Sequence, residues 1–162
     1  GHAICAYLGW QKQYGYISEA IRDQSIYNKT KDAMGLAVKA LSREYPQIPI
    51  CEIEANKEDL LQRFRNRALK DTISRVANDP LRKLRHDDRL IGAALYCLES
   101  GIRPDEIVKG IVAALKYDNP QDSAAVKLQA DLLELGLDYV MEHVLELDKD
   151  SELAGLIRTE MQ

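Results

Sequence analysis

The sequence predicts an all-α fold, and three observations lead to that prediction. Apolar residues recur every three or four positions through most of the 162-residue chain, which is the spacing of one helix face. Helix-boundary signals such as Asp79–Pro80 and Asn119–Pro120 divide this pattern into short segments. No segment shows a confident strand pattern of alternating apolar and polar residues. We therefore expect about eight helices and no internal repeat of the solenoid type.

Two helices are predicted at the start of the chain. The first is amphipathic and ends near the break at Tyr14–Gly15–Tyr16, and its apolar face contains Ile4, Tyr7 and Leu8. A short helix over Ile17–Asp23 follows, with Ser18 as its N-cap.

The next part of the chain predicts a long helix, a loop and a second helix. An apolar stripe repeats from Ile26 to Tyr45 and stops at Pro46, which cannot continue a helix. Residues 47–54 are ambiguous, because Ile48, Ile50 and Ile53 would also fit an extended segment near two prolines, and we expect a loop there. The apolar residues that follow predict another helix, with Leu60, Leu61 and Phe64 on its buried face.

Between residues 69 and 101 the sequence predicts three further elements. Leu69, Ile73 and Val76 share one face of a helix. Asp79–Pro80 then combines an N-cap with a proline at the first helical position and begins a short new helix. Asp87 or Asp88 is expected to cap the next helix, which Gly101 ends in the left-handed conformation.

The C-terminal third predicts four helices. Pro104 begins the first, and Asp105 and Glu106 favour its first turn. Asn119–Pro120 is expected to begin the second, which runs to Gly136. Asp138 begins the third, and Ser151 or Asp150 caps the last.

Composition limits the classes of function. The chain is 46% hydrophobic and 30% charged, and no apolar run approaches the length of a membrane span. The formal net charge is −4, whereas a domain that binds duplex nucleic acid is usually basic. We expect neither a membrane nor a nucleic-acid partner.

The cysteines indicate neither a disulfide framework nor a metal site. Cys5, Cys51 and Cys97 are far apart and have no CxxC or paired-histidine spacing. They are typical of reduced core thiols in a cytoplasmic protein, so no metal cofactor is expected.

A basic island, residues 63–89, contrasts with the rest of the chain. It contains nine Lys or Arg against four Asp, which leaves 13 basic and 22 acidic residues elsewhere. Such a contrast favours an anionic ligand, although a charged helix face in solvent explains it equally well. Within the island, Arg75, Arg82 and Lys83 are candidates for binding a phosphate, because Arg can contact it bidentately and Lys adds a point charge.

Other motifs of cofactor chemistry are absent from the sequence. No GxGxxG and no GxxxxGK[ST] loop occurs, so the chain alone lacks the usual dinucleotide and triphosphate binding loops. His2 is the remaining candidate for chemistry, but a terminal Gly–His pair could equally be an inert remnant of an expression tag.

The basic island resembles a known family. Its blocks are Arg63–Phe64–x–Asn66, Lys70–Asp71, Arg75–Val76, Asp79–Pro80–Leu81–Arg82–Lys83–Leu84 and Asp88–Arg89–Leu90–Ile91. These blocks are similar to the C-terminal half of the long-chain polyol and mannitol dehydrogenases, in particular the members that act on mannitol 1-phosphate. The opening Gly1–His2–Ala3 and Ala6–Tyr7–Leu8–Gly9 are similar to the same family just after its catalytic lysine and asparagine. The resemblance covers nearly the whole chain, so His2 is interpreted as native.

The resemblance implies a fold, an activity and a cofactor. Residues 1–162 would form the all-α substrate-binding domain, similar to the C-terminal domain of 6-phosphogluconate dehydrogenase, and an N-terminal Rossmann domain would be absent from this chain. The reaction would interconvert mannitol 1-phosphate and fructose 6-phosphate without a metal, with NAD bound mainly by the Rossmann domain. The isolated domain would be inactive.

The resemblance also implies roles for individual residues. His2 would be the catalytic histidine that orients the substrate oxygen, and Arg75 and Lys83 would match polar substrate contacts, with Arg82 added for the phosphate. The partners would be a sugar-alcohol phosphate and the Rossmann domain. A homodimer through Ile4, Tyr7 and Leu8 is also expected, on an apolar face left uncovered. The alternative is an independent helical interaction module that binds an acidic partner through the basic island.

Overall fold

The computed structural model describes all 162 residues and confirms an all-α fold. It contains eleven α-helices and one 3₁₀ helix, whose bounds are α1 (His2–Gln11), α2 (Ile17–Ala20), α3 (Gln24–Glu44), α4 (Ile50–Phe64), the 3₁₀ helix (Arg67–Leu69), α5 (Ile73–Ala77), α6 (Pro80–Lys83), α7 (Ile91–Glu99), α8 (Asp105–Leu115), α9 (Ser123–Glu134), α10 (Gly136–His143) and α11 (Glu152–Met161). Eight of the α-helices have eight or more residues, in agreement with the expected number. The other three, α2, α5 and α6, have five residues or fewer.

Helix α1 lies at the centre of the molecule. Every residue from Ala3 to Gly9 is buried, because α2, α3, α5 and α8 all pack against this helix. The prediction of an amphipathic first helix is therefore wrong, since a helix surrounded by others is buried on all its faces. The predicted dimer contact through Ile4, Tyr7 and Leu8 is wrong for the same reason: these side chains are buried within the chain itself.

Two glycines allow helices to approach α1 closely. A Cβ at Gly110 in α8 would lie 2.6 Å from Cγ1 of Ile4, and a Cβ at Gly9 would lie 2.7 Å from Cδ1 of Ile73. The Tyr7 hydroxyl donates a hydrogen bond of 2.9 Å to the carbonyl of Ala77 and so joins α1 to the end of α5. These contacts fix the position of α1 and of the residue at its start.

Three helix boundaries differ from the predicted ones. Ser18 lies inside α2, whose N-cap is Tyr16, and the Glu19 carboxylate accepts a hydrogen bond from the Tyr16 N–H. The predicted loop is wrong from Ile50 onward, because Pro49 directly precedes α4 and leaves the helix free to begin there. The predicted helix through Leu69 and Val76 is interrupted, since Lys70 is in the left-handed conformation with φ of 50°.

The predicted caps are confirmed at some helices and wrong at others. Asp79 caps α6 and Ser151 caps α11, and Gly101 ends α7 with φ of 68°. Neither Asp87 nor Asp88 caps α7, which begins without a side-chain cap. Helix α9 begins after the Asn119–Pro120 turn, because Asp122 provides its N-cap.

None of the helices combines the length and the apolar character needed to cross a membrane.

Candidate functional site

His2 is the first residue of α1 and stands at the edge of the buried core. Its ring stacks on Phe64 at the end of α4, with centroids 4.9 Å apart and planes inclined by 12°. The side chain is 39% exposed, so one part of the imidazole is held against protein while another faces solvent. The central helix and the aromatic contact together fix the ring in position.

Asp71 brings the start of the basic island to His2. The segment around Asp71 pairs with the turn that follows α1: the Ile17 N–H donates to the carbonyl of Asp71, and the Ile73 N–H donates to the carbonyl of Gly15, each at 2.9 Å. This pairing places Oδ2 of Asp71 3.4 Å from Nε2 of His2. The other carboxylate oxygen of Asp71 accepts a hydrogen bond from Arg75. His2, Asp71 and Arg75 therefore form one cluster.

The environment of His2 favours a neutral imidazole. Partial burial lowers the pKa of His2, and the positive charges of Arg75 and Arg89 lower it further. A neutral imidazole donates a hydrogen bond from one ring nitrogen and accepts one at the other. A ring in this state can orient a substrate hydroxyl while it contacts Asp71.

Lys83 is a buried cation. It ends the short helix α6, which Asp79 caps by accepting a hydrogen bond from the Arg82 N–H at 3.1 Å. Lys83 is only 4% exposed, and its Nζ donates to the backbone carbonyl of Asn78 rather than to a carboxylate. Burial lowers the pKa of Lys83, and the nearby charges of Arg82 and Arg89 add to that effect.

Arg82 and Arg75 are exposed, and carboxylates already contact both. The Arg82 guanidinium lies 3.5 Å from Oδ2 of Asp79 and 3.4 Å from Oδ2 of Asp88. Arg75 pairs with Asp71. The positive charge of each arginine is therefore partly balanced before any ligand is present.

Arg89 is a further cation near His2. It lines the same cavity as Gly1 and His2, and its charge lowers the pKa of both His2 and Lys83. Its Nε donates to Oδ1 of Asp88 at 2.8 Å. The structure thus joins His2 to Arg75 through Asp71, and the charge of Arg89 acts on both His2 and Lys83.

Two depressions adjoin these side chains. One is a cavity of about 300 Å³ next to His2 and Arg89, with mainly apolar walls from α1, α3, α4 and α7. The other is an open cleft of about 330 Å³, with only polar walls formed by Ser74, Arg75, Asn78, Asn119 and Gln121. An amide-lined cleft beside an arginine suits a ligand with several hydroxyl groups.

Sequence reasoning missed Asp71 and Arg89 as members of the site. Asp71 stands four residues before Arg75, and this spacing is the local signal for an ion pair on one helix face. Arg89 was one of the nine cations of the basic island, but nothing local distinguishes it from Arg85. The contact of Asp71 with His2 and the place of Arg89 in the wall of the same cavity depend on the fold, because α1 is distant from both in sequence.

The described residues contain no group of three or more His, Cys, Asp or Glu side chains that could hold a metal ion. The site consists instead of an imidazole, a bridging carboxylate and four cations. This set of groups suits a ligand that carries both hydroxyls and negative charge.

Comparison with known proteins identifies similar chains. Residues 1–152 match the family described as mannitol dehydrogenase C-terminal domain. The chain is 38% identical over 152 residues to a mannitol-1-phosphate 5-dehydrogenase of Thermoanaerobacter pseudethanolicus, an alignment that covers 94% of this chain and 39% of the relative. It is 35% identical to enzymes with the same name from Brevibacillus brevis and Anoxybacillus flavithermus, with 98% and 99% of this chain covered and 41% and 42% of the relatives. The chain therefore spans about two fifths of the length of these relatives.

Proposed function

Because the chain belongs to the mannitol dehydrogenase family through its C-terminal domain, we propose that it is the substrate-binding domain of a hexitol-phosphate dehydrogenase. The reaction would interconvert mannitol 1-phosphate and fructose 6-phosphate with NAD as the hydride acceptor. The observation that carries this proposal is the cluster of His2, Asp71 and Arg75 beside the cations Lys83, Arg82 and Arg89. In this cluster the imidazole can contact a substrate hydroxyl, and the cations can contact a phosphate.

His2 would act on the hydroxyl that is oxidised. A neutral imidazole held by Phe64 and Asp71 can accept or donate a hydrogen bond to the substrate oxygen and so fix its orientation. Hydrogen bonds donated to an oxygen that gains negative charge as it loses its proton lower the barrier to hydride transfer from the carbon that bears this oxygen. His2 is for this reason the proposed catalytic residue of the chain.

Arg75, Arg82 and Lys83 would contact the rest of the substrate. Arg75 faces the polar cleft, where hydroxyls of an open-chain hexitol find amide partners. Arg82 and Lys83 would attract the phosphate. The partial burial of this region strengthens such interactions relative to a fully hydrated surface.

The cofactor and the general base would come from outside this chain. The 162 residues contain no strand and hence no strand–glycine loop–helix unit, the device that binds a dinucleotide pyrophosphate. The residues of this chain therefore lack the motif that binds NAD in that way, and we assign NAD binding to an N-terminal Rossmann domain. We place the lysine base and the asparagine that the family resemblance implies there as well. The 162-residue chain alone should therefore be inactive.

The extent of the match favours this function over an independent interaction module. The relatives named as dehydrogenases align with 94% to 99% of the chain. The family match over residues 1–152 includes both His2 and the basic island. A module that used only the basic island to bind an acidic partner would not require His2 to stay in contact with Asp71.

The test is NAD-dependent oxidation of mannitol 1-phosphate by a full-length protein that contains this domain. We expect His2→Ala to lower kcat about a hundredfold or more, the scale of losing one oriented hydrogen-bonding group at the reacting oxygen. His86→Ala is the matched control, because His86 is an exposed histidine of the basic island. A wild-type protein with no activity on any hexitol phosphate would refute the proposed function, and activity that His2→Ala leaves unchanged would refute the role of His2.

A further inference from the structure

The arginines near the site differ in which of their nitrogens are already used. Arg82 contacts Asp88 through a terminal nitrogen and Asp79 through Nε, and Arg75 uses a terminal nitrogen for Asp71. Arg89 forms its ion pair through Nε alone, with Oδ1 of Asp88. Both terminal nitrogens of Arg89 therefore lack a protein partner, although the guanidinium is held in place at its base.

The position of Arg89 is equally distinctive. It lines the wall of the apolar cavity together with Gly1 and His2, whereas Arg75, Arg82 and Arg85 do not. Its charge also acts on both His2 and Lys83. An anion bound by Arg89 at this wall would lie beside the cavity that His2 also lines.

The balance of charge supports an anion at this point. Asp88 contacts both Arg82 and Arg89, so one carboxylate is shared by two cations. Lys83 donates to a backbone carbonyl, which does not neutralise its charge. Arg82 also contacts Asp79, so the cations Arg82, Lys83 and Arg89 have two carboxylates in direct contact, and Asp122 acts on Lys83 at longer range. Lys83 itself forms no ion pair, and a partly buried cation without one favours an added anion.

We propose that Arg89 is a specificity-determining residue that binds the phosphate group of the substrate through its two terminal nitrogens, with Lys83 as the second cation. The two parallel N–H groups of a guanidinium match two oxygens of a phosphate, and such bidentate contacts are stronger and more directional than single ones. Asp88 is a positioning residue in this arrangement, since it holds Nε of Arg89 and leaves the other nitrogens free. The assignment of the anion as a substrate phosphate rests on the proposed function.

The first test uses inorganic phosphate and the 162-residue chain, followed by NMR of the backbone amides. We expect phosphate to shift the amides of residues 83–90 and Arg89→Gln to weaken the binding at least about tenfold, as expected when a charge-assisted bidentate contact is lost. Arg85→Gln is the matched control, because Arg85 and Arg89 are 56% and 55% exposed and each pairs with an aspartate close in sequence. Equal binding by the two variants would overturn the proposal.

The second test is kinetic and uses the full-length protein. Arg89→Gln should raise KM for mannitol 1-phosphate about tenfold or more while kcat changes little, because Arg89 contacts a part of the substrate that does not react. Arg89→Lys should recover part of the loss, since it keeps the charge without the paired donors. A thermal melt of each variant excludes misfolding.

The two tests separate the inference from the proposed function. Phosphate binding that depends on Arg89, in a protein that oxidises no hexitol phosphate, would refute the function and leave the anion site standing. Normal oxidation of mannitol 1-phosphate by Arg89→Gln, with KM unchanged, would leave the function standing and refute the role of Arg89.

Discussion

Asp71 reaches His2 across nearly half of the chain and places its Oδ2 3.4 Å from the imidazole Nε2. The same carboxylate accepts a hydrogen bond from Arg75 through its other oxygen. Asp71 therefore holds two side chains that were predicted to belong to the site, and it sets both the orientation of the imidazole and the balance of charge around it. Such a contact is expected to decide which ring nitrogen carries the proton.

Replacing Asp71 with Asn should move the pKa of His2 further below its ordinary value. The substitution removes the nearest negative charge and leaves the positive charges of Arg75 and Arg89, which disfavour protonation. The pKa is measured by NMR titration of the His2 ring protons. Asp87→Asn is the control, because Asp87 pairs with the exposed Arg85 and does not contact His2. An unchanged His2 titration in Asp71→Asn would show that the contact has no electrostatic role.

Stability should rise with pH through the range in which His2 loses its proton. The folded chain lowers the pKa of His2 below its ordinary value of 6.5, so the unfolded state binds more protons in that range. The contribution of His2 to the free energy of unfolding is therefore fully present above pH 6.5 and decreases as the pH falls below that value. We expect His2→Asn to remove part of this slope in urea midpoints measured between about pH 5 and pH 7.5. A steeper loss of stability in acid for the variant than for the wild type would contradict the sign.

Local signals explain why much of the fold could be predicted. The apolar spacing of α3 and α8 and the caps at Asp79 and Ser151 are properties of short stretches of chain. The burial of α1 is different, because a sequence shows which residues share a helix face but not how many neighbours surround it. Its small residues, Ala3, Ala6 and Gly9, were the available sign of close packing on every side.

The site could be predicted only in part for the same reason. The basic island and the family resemblance indicated His2, Arg75 and Lys83 as residue types and positions. Asp71 joins the site because Lys70 adopts a left-handed conformation and ends the predicted helix, which lets residues 71–73 pair with the turn after α1. Neither the turn nor the pairing leaves a mark in the local hydrophobic pattern.

Gly110→Ala should destabilise the chain by about 1–3 kcal/mol, the cost of overpacking a core. The new Cβ would meet the branched side chain of buried Ile4 at 2.6 Å, and α1 would have to move. Gly155→Ala in α11 is the control, since its Cβ meets nothing within 4 Å and should stabilise the helix by about 0.5–1 kcal/mol. The free energy of unfolding in urea measures both. Equal effects of the two substitutions would show that α1 and α8 pack less closely than described.

The three cysteines should differ sharply in reactivity. Cys51 is exposed, whereas Cys5 and Cys97 are buried, and burial raises the pKa of Cys5 to about 12. Because the thiolate is the reactive form, a disulfide reagent should modify one thiol rapidly in the native chain and all three in urea. The Cys51→Ser variant should show no rapid reaction. Rapid modification of a second thiol in that variant would mean that the core around α1 or α7 opens readily.

Lys83→Met should separate stability from anion binding. Lys83 is buried without a carboxylate partner, so its charge is costly to hold in the core, and methionine of similar length fills the same space. The carbonyl of Asn78 loses a donor, which offsets part of the gain, and we expect the free energy of unfolding to change by less than about 1.5 kcal/mol. Phosphate binding should weaken at least about tenfold, since one of the two cations proposed to contact the anion is gone.

Lys127→Met is the control for that substitution, because Lys127 is an exposed lysine in α9 that pairs with Asp131. It should change neither quantity by more than about 0.5 kcal/mol, the usual effect of a surface substitution. A small change in the free energy of unfolding together with weakened phosphate binding in Lys83→Met would show that Lys83 serves anion binding and not folding. A loss of more than about 3 kcal/mol in Lys83→Met with phosphate binding intact would instead make Lys83 a structural residue, since that is the cost of removing an essential buried interaction.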